Sequence, residues 1–117
     1  MSSAETPTIR DADGAVSHLA EISPQLRGCA ILSERGGVLA SSGDPEAWGA
    51  AAAELIAAAD AAGPEPASHA HVATADGEAF FVREGDLVAV AVSDRFVLAS
   101  LMLFDLRATL RELAGAD

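Results

Sequence analysis

Basic residues are scarce in this sequence. Of its 117 residues, seven are Lys or Arg against 18 Asp or Glu, a formal net charge of −11 at pH 7. Nothing here would neutralise a phosphate backbone, which weighs strongly against nucleic acid as a partner, and an anionic membrane is disfavoured for the same reason. Cysteine is nearly missing too. Cys29 stands alone, so no internal disulfide can form and a reducing compartment fits. A small thiol inside the apolar run "GCAIL" reads as core rather than as a nucleophile. No uninterrupted apolar run reaches about 18 residues, so no membrane span is expected. The opening "MSSAETPTIR" has neither a basic n-region nor an apolar h-region, and no secretory signal is expected. The protein is therefore expected to be cytoplasmic. The pattern GxxxxGKS or GxxxxGKT is also missing, so the chain is not itself a P-loop nucleotide hydrolase.

What is present is apolar. Half of the residues are hydrophobic, enough to sustain a core. Residues 1–7 read as a disordered N-terminus and 8–114 as a single domain. Ile9, Ala12, Val16, Leu19 and Ile22 recur at helical spacing, with Thr8 as candidate N-cap and Pro24 as the stop. Cys29–Leu32 and Val38–Ala40 flank "SERGG", the mark of a β-hairpin. "CAIL" does not alternate, which predicts a strand covered on both faces. A second helix follows, with Asp44 as N-cap, Pro45 at N1 and "GP" at 63–64 as its stop. Three strands are predicted next, at 68–74, 78–83 and 87–93, separated by turn residues. The remainder is predicted as one helix capped by Asp94, because Leu103, Leu106, Leu110 and Leu113 step by three and four. Hairpin-linked strands without a polar face imply a largely antiparallel five-stranded sheet with helices on both sides, α/β in content.

The second helix, "AWGAAAAELIAAADAAG", raises its own question. At 100° per residue, Trp48, Ala52, Leu55, Ile56 and Ala59 share one side and should cover the sheet. Ala50, Ala53, Ala57 and Ala61 share the other, flanked by Glu54 and Asp60. Such a stripe lets two helix axes approach closely, and a second copy would fit it by two-fold symmetry. Alanine is also the best helix former and tolerates exposure without any partner. Glu54 and Asp60 read as a solvated rim, or as acids that meet basic residues of a docked partner.

Two further features carry side chains with chemistry. His69 and His71 lie two apart and so share a strand face. No cysteine or carboxylate at metal-like spacing completes a set, so the reading is a polar strand near a sheet edge, with no metal and no cofactor. Arg35 sits at the hairpin tip, as an ordinary turn residue or as an arginine offered to a phosphate.

Four stretches together resemble the roadblock/LC7 family, in particular its small stand-alone bacterial members. "HLAEISPQLRGCAILSERGGVLASSG" resembles the family's opening helix and hairpin. The alanine-rich helix stands where the family has its central helix. "ATADGEAFFVREGDLVAVAVSD" resembles the three-strand meander, and "VLASLMLFDLRATLREL" the closing helix. The resemblance implies a five-stranded antiparallel sheet between one central helix and the two terminal helices. It implies a homodimer, or a heterodimer with a paralogous roadblock protein, in which central helices pack and third strands pair. Ala50, Ala53, Ala57, Ala61, His69 and His71 would then line the interface, with the histidines as candidates for pH sensitivity. It further implies a non-catalytic adaptor or regulator of a small Ras-like GTPase, with Glu54, Asp60 and Arg35 available to that partner. A small-ligand-sensing module of profilin-like or PAS-like type is the alternative; it needs an internal pocket with convergent polar groups.

Overall fold

The computed structural model describes residues 9–115. Its elements are α1 (Ala12–Ile22), β1 (Leu26–Ser33), β2 (Val38–Ser41), α2 (Pro45–Ala61), β3 (His69–Ala73), β4 (Glu78–Glu84), β5 (Leu87–Ser93) and α3 (Ala99–Ala114). The five strands form one sheet in the order β2-β1-β5-β4-β3, and every neighbouring pair is antiparallel. No helix among the described residues is long and apolar enough to cross a membrane.

The central strands are apolar on both sides, as their lack of alternation requires. Cys29 and Ile31 of β1 and Ala89 and Ala91 of β5 join Phe80 and Val82 beneath α1 and α3, against Leu19, Leu106 and Leu110. Ala30 and Leu32, Val88 and Val90, and Phe81 face the other way, beneath α2. The sheet is thus a middle layer with one helix on one face and two on the other. The β1–β2 turn carries Gly36 at φ 95°, and the β4–β5 turn Gly85 at φ 60°, a conformation glycine adopts without a Cβ penalty.

Helix starts follow local chemistry where it is present. The predicted disordered stretch 1–7 and the Thr8 cap lie outside the described residues. The cap of α1 is instead Asp11, whose Oδ1 accepts the Gly14 N–H at 2.8 Å. Asp44 caps α2 by accepting from Glu46 N–H at 3.2 Å, with Pro45 in the first turn. α2 stops at Ala61, before Gly63, which does not take a left-handed conformation. Trp48 anchors this helix: its Nε1 donates to the Ser42 carbonyl at 2.9 Å. Its ring lies against Gly28, where a Cβ would come within 2.9 Å of Cζ2.

The start of α3 corrects the sequence expectation. Asp94 does not cap it, and residues 95–98 are not helical. α3 begins at Ala99 with Leu98 as N-cap and no side-chain cap bond. Phe96 has φ 66°, a left-handed conformation that a right-handed helix cannot continue through. The Glu78 carboxylate holds it by accepting the Phe96 N–H at 2.5 Å. Asp94 pairs with Arg27 instead, at 2.8 Å.

Candidate functional site

α2 is committed to the sheet on one side only. Ala52 is fully buried, and Trp48, Leu55, Ile56 and Ala59 pack partly buried around it. Ala50, Ala53, Ala57 and Ala61 are all exposed on the opposite side, as is Glu54. Beside this stripe a groove of about 320 Å³ runs between α2 and the β1–β2 turn, and Arg35, Ala53, Ala57, Asp60 and Arg83 line it. Four of the residues singled out from sequence are therefore brought to one place. Glu54 stands outside that groove.

Asp60 differs from the free rim acid that the sequence suggested. Its Oδ1 accepts the Ala67 N–H at 2.8 Å, and Arg83 reaches both of its oxygens at 3.3 and 3.4 Å. Arg83 also donates to the Ala67 carbonyl at 2.6 Å and lies over the Phe81 ring, 5.2 Å from its centroid. The arginine hydrogen bond, and after it the Ala67 amide, hold the Asp60 carboxyl below the ordinary aspartate range. This cluster pins the C-terminal end of α2 to β4. Sequence reasoning missed Arg83, which lies 23 positions from Asp60. Its only signal was a lone cation within the otherwise apolar run "AFFVR".

The two histidines sit on β3, an edge strand of the sheet. They are paired in register with Val82 and Phe80, so their side chains share the α1/α3 face and not the α2 face. His69 is exposed, with Nδ1 3.2 Å from Ser68 Oγ. His71 stacks on Phe80, rings 4.6 Å apart and 3° from parallel, and its Nε2 lies 2.6 Å from Glu78 Oε1. Glu78 is 7% exposed. The His71 hydrogen bond pulls its carboxyl below the usual glutamate range, with help from the Phe96 amide and against desolvation. The acid paired with His71 is thus Glu78 on the neighbouring strand. Among the described residues no group of three or more His, Cys, Asp or Glu gathers at metal-binding distance.

Arg35 is exposed at the β1–β2 turn. Cys29 is 1% exposed within the α1/α3-side core. Burial pushes its thiol up to about 11, so it is protonated, and a poor nucleophile, at neutral pH. The arrangement as a whole offers a flat small-residue helix face, an adjoining groove with an arginine at its lip, and an open sheet edge. These are features of a binding surface.

No protein-family model and no curated protein matches the sequence. Solved structures do match in shape. A roadblock/LC7 domain from Streptomyces avermitilis superposes with a TM-score of 0.76 at 18% identity, over 89% of this chain and 95% of that one. Myxococcus xanthus MglB gives a TM-score of 0.70 at 16% identity, over 87% and 90%. An MglB with tetrameric arrangement gives 0.52 at 17% identity, over 90% and 85%.

Proposed function

Because the chain has the roadblock/LC7 fold, we propose that it is a non-catalytic adaptor that pairs through α2 and regulates a small Ras-like GTPase. One observation carries this reading. The outward side of α2 is a stripe of exposed alanines on a helix whose other side is already committed to the sheet. Small residues let a second α2 approach toward the lower end of the 8–10 Å range of helix packing. β3, at the sheet edge, can extend the sheet across the same two-fold axis, which sets His69 and His71 near the seam. The partner is a second copy or a paralogous roadblock protein. That a neighbour on this fold is an MglB with tetrameric arrangement supports self-association.

The GTPase role rests on the family resemblance. A paired α2 platform favours one arrangement of a GTPase's mobile segments by binding it better than the other, which shifts the population between nucleotide states. Among the described residues Glu54 and Arg35 make no ion pair and are open to that partner; Asp60 contributes through the Arg83 cluster. No cofactor enters this mechanism, and the cytoplasm is where such a partner resides.

The test is molar mass by size-exclusion chromatography with light scattering. Wild type should run as a dimer and Ala53→Glu/Ala57→Glu as a smaller species. GTP hydrolysis by small Ras-like GTPases of the same organism is then measured with and without each form. A double mutant of unchanged mass sinks the α2 interface. An unchanged hydrolysis rate, together with no co-elution of wild type with any of those GTPases, sinks the regulatory role.

A further inference from the structure

The buried carboxylate of Glu78 connects the outer edge of the sheet to the segment 95–98 that leads into α3. Its Oε1 lies 2.6 Å from Nε2 of His71 on the edge strand β3, and its Oε2 accepts the Phe96 N–H at 2.5 Å. The carboxyl is held below the usual glutamate range, so it is ionised at neutral pH. An ionised carboxylate only accepts, and His71 Nε2 is therefore the donor in this bond.

Segment 95–98 has two fixed ends and one strained joint. Upstream, Asp94 donates its N–H to the Gln25 carbonyl at 2.9 Å and pairs with Arg27. Downstream, the Leu98 carbonyl accepts the Leu101 and Met102 amides at 3.1 Å. Between them Phe96 stands at φ 66°. A phenylalanine in the left-handed region costs free energy and persists only where its surroundings hold it. Its side chain faces solvent, 80% exposed, with the Arg95 guanidinium over the ring, so core packing does not supply that hold. The Glu78 bond does. Allowed backbone regions are separate basins, so releasing the bond lets residue 96 change basin rather than drift. Such a joint is a two-state element.

His71 keeps Glu78 in place. It is the one side chain that bonds the carboxylate among the described residues, and its own ring is fixed by stacking on Phe80. Without it, a carboxylate that is only 7% exposed would lose a partner. It would turn toward water and withdraw Oε2 from Phe96. The His71 side chain is 33% exposed and lies on an edge strand, where the side chains of any added strand come to lie beside it.

We propose that His71 and Glu78 form a latch: the edge strand holds segment 95–98 in its left-handed state, and drawing His71 off the carboxylate releases Phe96 and Leu98 to a second arrangement. His71 is a positioning residue here, acting on Phe96 through Glu78. The latch is internal to one chain, so it stands or falls apart from the α2 interface.

The experiment is amide hydrogen exchange read residue by residue by NMR. His71→Phe keeps a ring against Phe80 and removes the hydrogen bond. The Phe96 amide should then exchange about tenfold faster, while the Val90 amide in the central strand β5, which reports global stability, moves less. His71→Gln, which can still donate, should recover part of the protection. His69→Phe, on the same strand face but without a bond to Glu78, should leave Phe96 unchanged. In a Phe96→Gly background the effect of His71→Phe on residue 96 should shrink, because glycine takes the left-handed region without a Cβ penalty. Trypsin gives a second reading: in His71→Phe, cutting after the exposed Arg95 should rise relative to cutting after the exposed Arg35. Phe96 protection that is unchanged in His71→Phe, or that falls only in step with Val90, overturns the latch. So does an equal acceleration by His69→Phe, or an effect that Phe96→Gly leaves undiminished.

Discussion

The two faces of the sheet are built differently. On the α1/α3 face, large side chains close over Phe80 and Val82, and α3 alone buries Met102, Leu106, Thr109 and Leu110. On the α2 face a single helix contributes one fully buried residue, Ala52, and the rest of its inward side is only partly covered. Buried apolar area contributes roughly 25 cal/mol per Å², so the first face carries more of the fold's stability than the second. The thick face folds the chain. The thin face is held by fewer large groups, by the Trp48 anchor and by the Asp60–Arg83 cluster, and keeps its outer surface available.

The sharpest test of this contrast uses one substitution on both faces. Leu106→Ala removes a fully buried side chain and should destabilise by about 2–5 kcal/mol, whereas Leu55→Ala, only partly buried, should cost less than half as much. Urea unfolding of the two variants reads the difference directly, and equal losses would erase the distinction. Gly28→Ala comes next. Its Cβ would meet Trp48 and Ser42 at 2.9 Å, so the indole must shift and the start of α2 with it. A loss of about 1–3 kcal/mol is expected, with a red-shifted emission from the chain's one tryptophan.

A smaller effect separates the faces by pH. Asp60 ties α2 to β4, while Glu84, paired with Arg111 at 2.9 Å and Arg107 at 3.4 Å, ties α3 to the same strand. Both carboxyls are held below their ordinary values, each chiefly by an arginine hydrogen bond. A depressed folded-state pKa stabilises fully above the unfolded value and is lost as pH falls through the folded one. Stability should therefore drop on acidification below about pH 4. Asp60→Asn and Glu84→Gln should each flatten part of that drop, seen as a smaller change in urea midpoint between neutral and acid pH. The smallest effect is expected at the exposed stripe. Ala53→Glu/Ala57→Glu should change the unfolding free energy of the dissociated chain by no more than about 0.5 kcal/mol per site. A larger loss would mean that the stripe supports the chain's own fold.

Which features were legible in the sequence follows from how far apart the determining residues lie. The α2 cap and its inward side were readable, because Asp44, Pro45 and the spacing of Trp48, Ala52, Leu55 and Ile56 are local. Two-sided burial of β1 and β5 was readable from their missing alternation. The start of α3 was not, because its break at Phe96 depends on Glu78, 18 positions upstream. The role of Asp60 was hidden for the same reason, its guanidinium partner coming from a different strand. His71 found its carboxylate across the β3–β4 ladder at a separation of seven residues, a pairing that exists only once the register is set. The exposure of Phe104 was not legible either, since periodicity marks which residues are apolar and not whether anything lies above them.

Two-sided burial of the central strands has a consequence for folding fidelity. In an ordinary half-exposed strand, sliding by one residue turns the hydrophobic set out into water and is rejected at once. In β5 the same slide would exchange Val88 and Val90 for Ala89 and Ala91, so water would hardly discriminate between correct and slipped pairings. Selection must then come from volume, with valines under the lone helix and alanines under the crowded pair, and from devices that index the ladder mechanically. The left-handed Gly85 turn and the irregularity between Leu26 and Gly28 in the β1–β5 ladder are such devices, and misaligned β5 pairings should be what refolding has to edit out when either is altered.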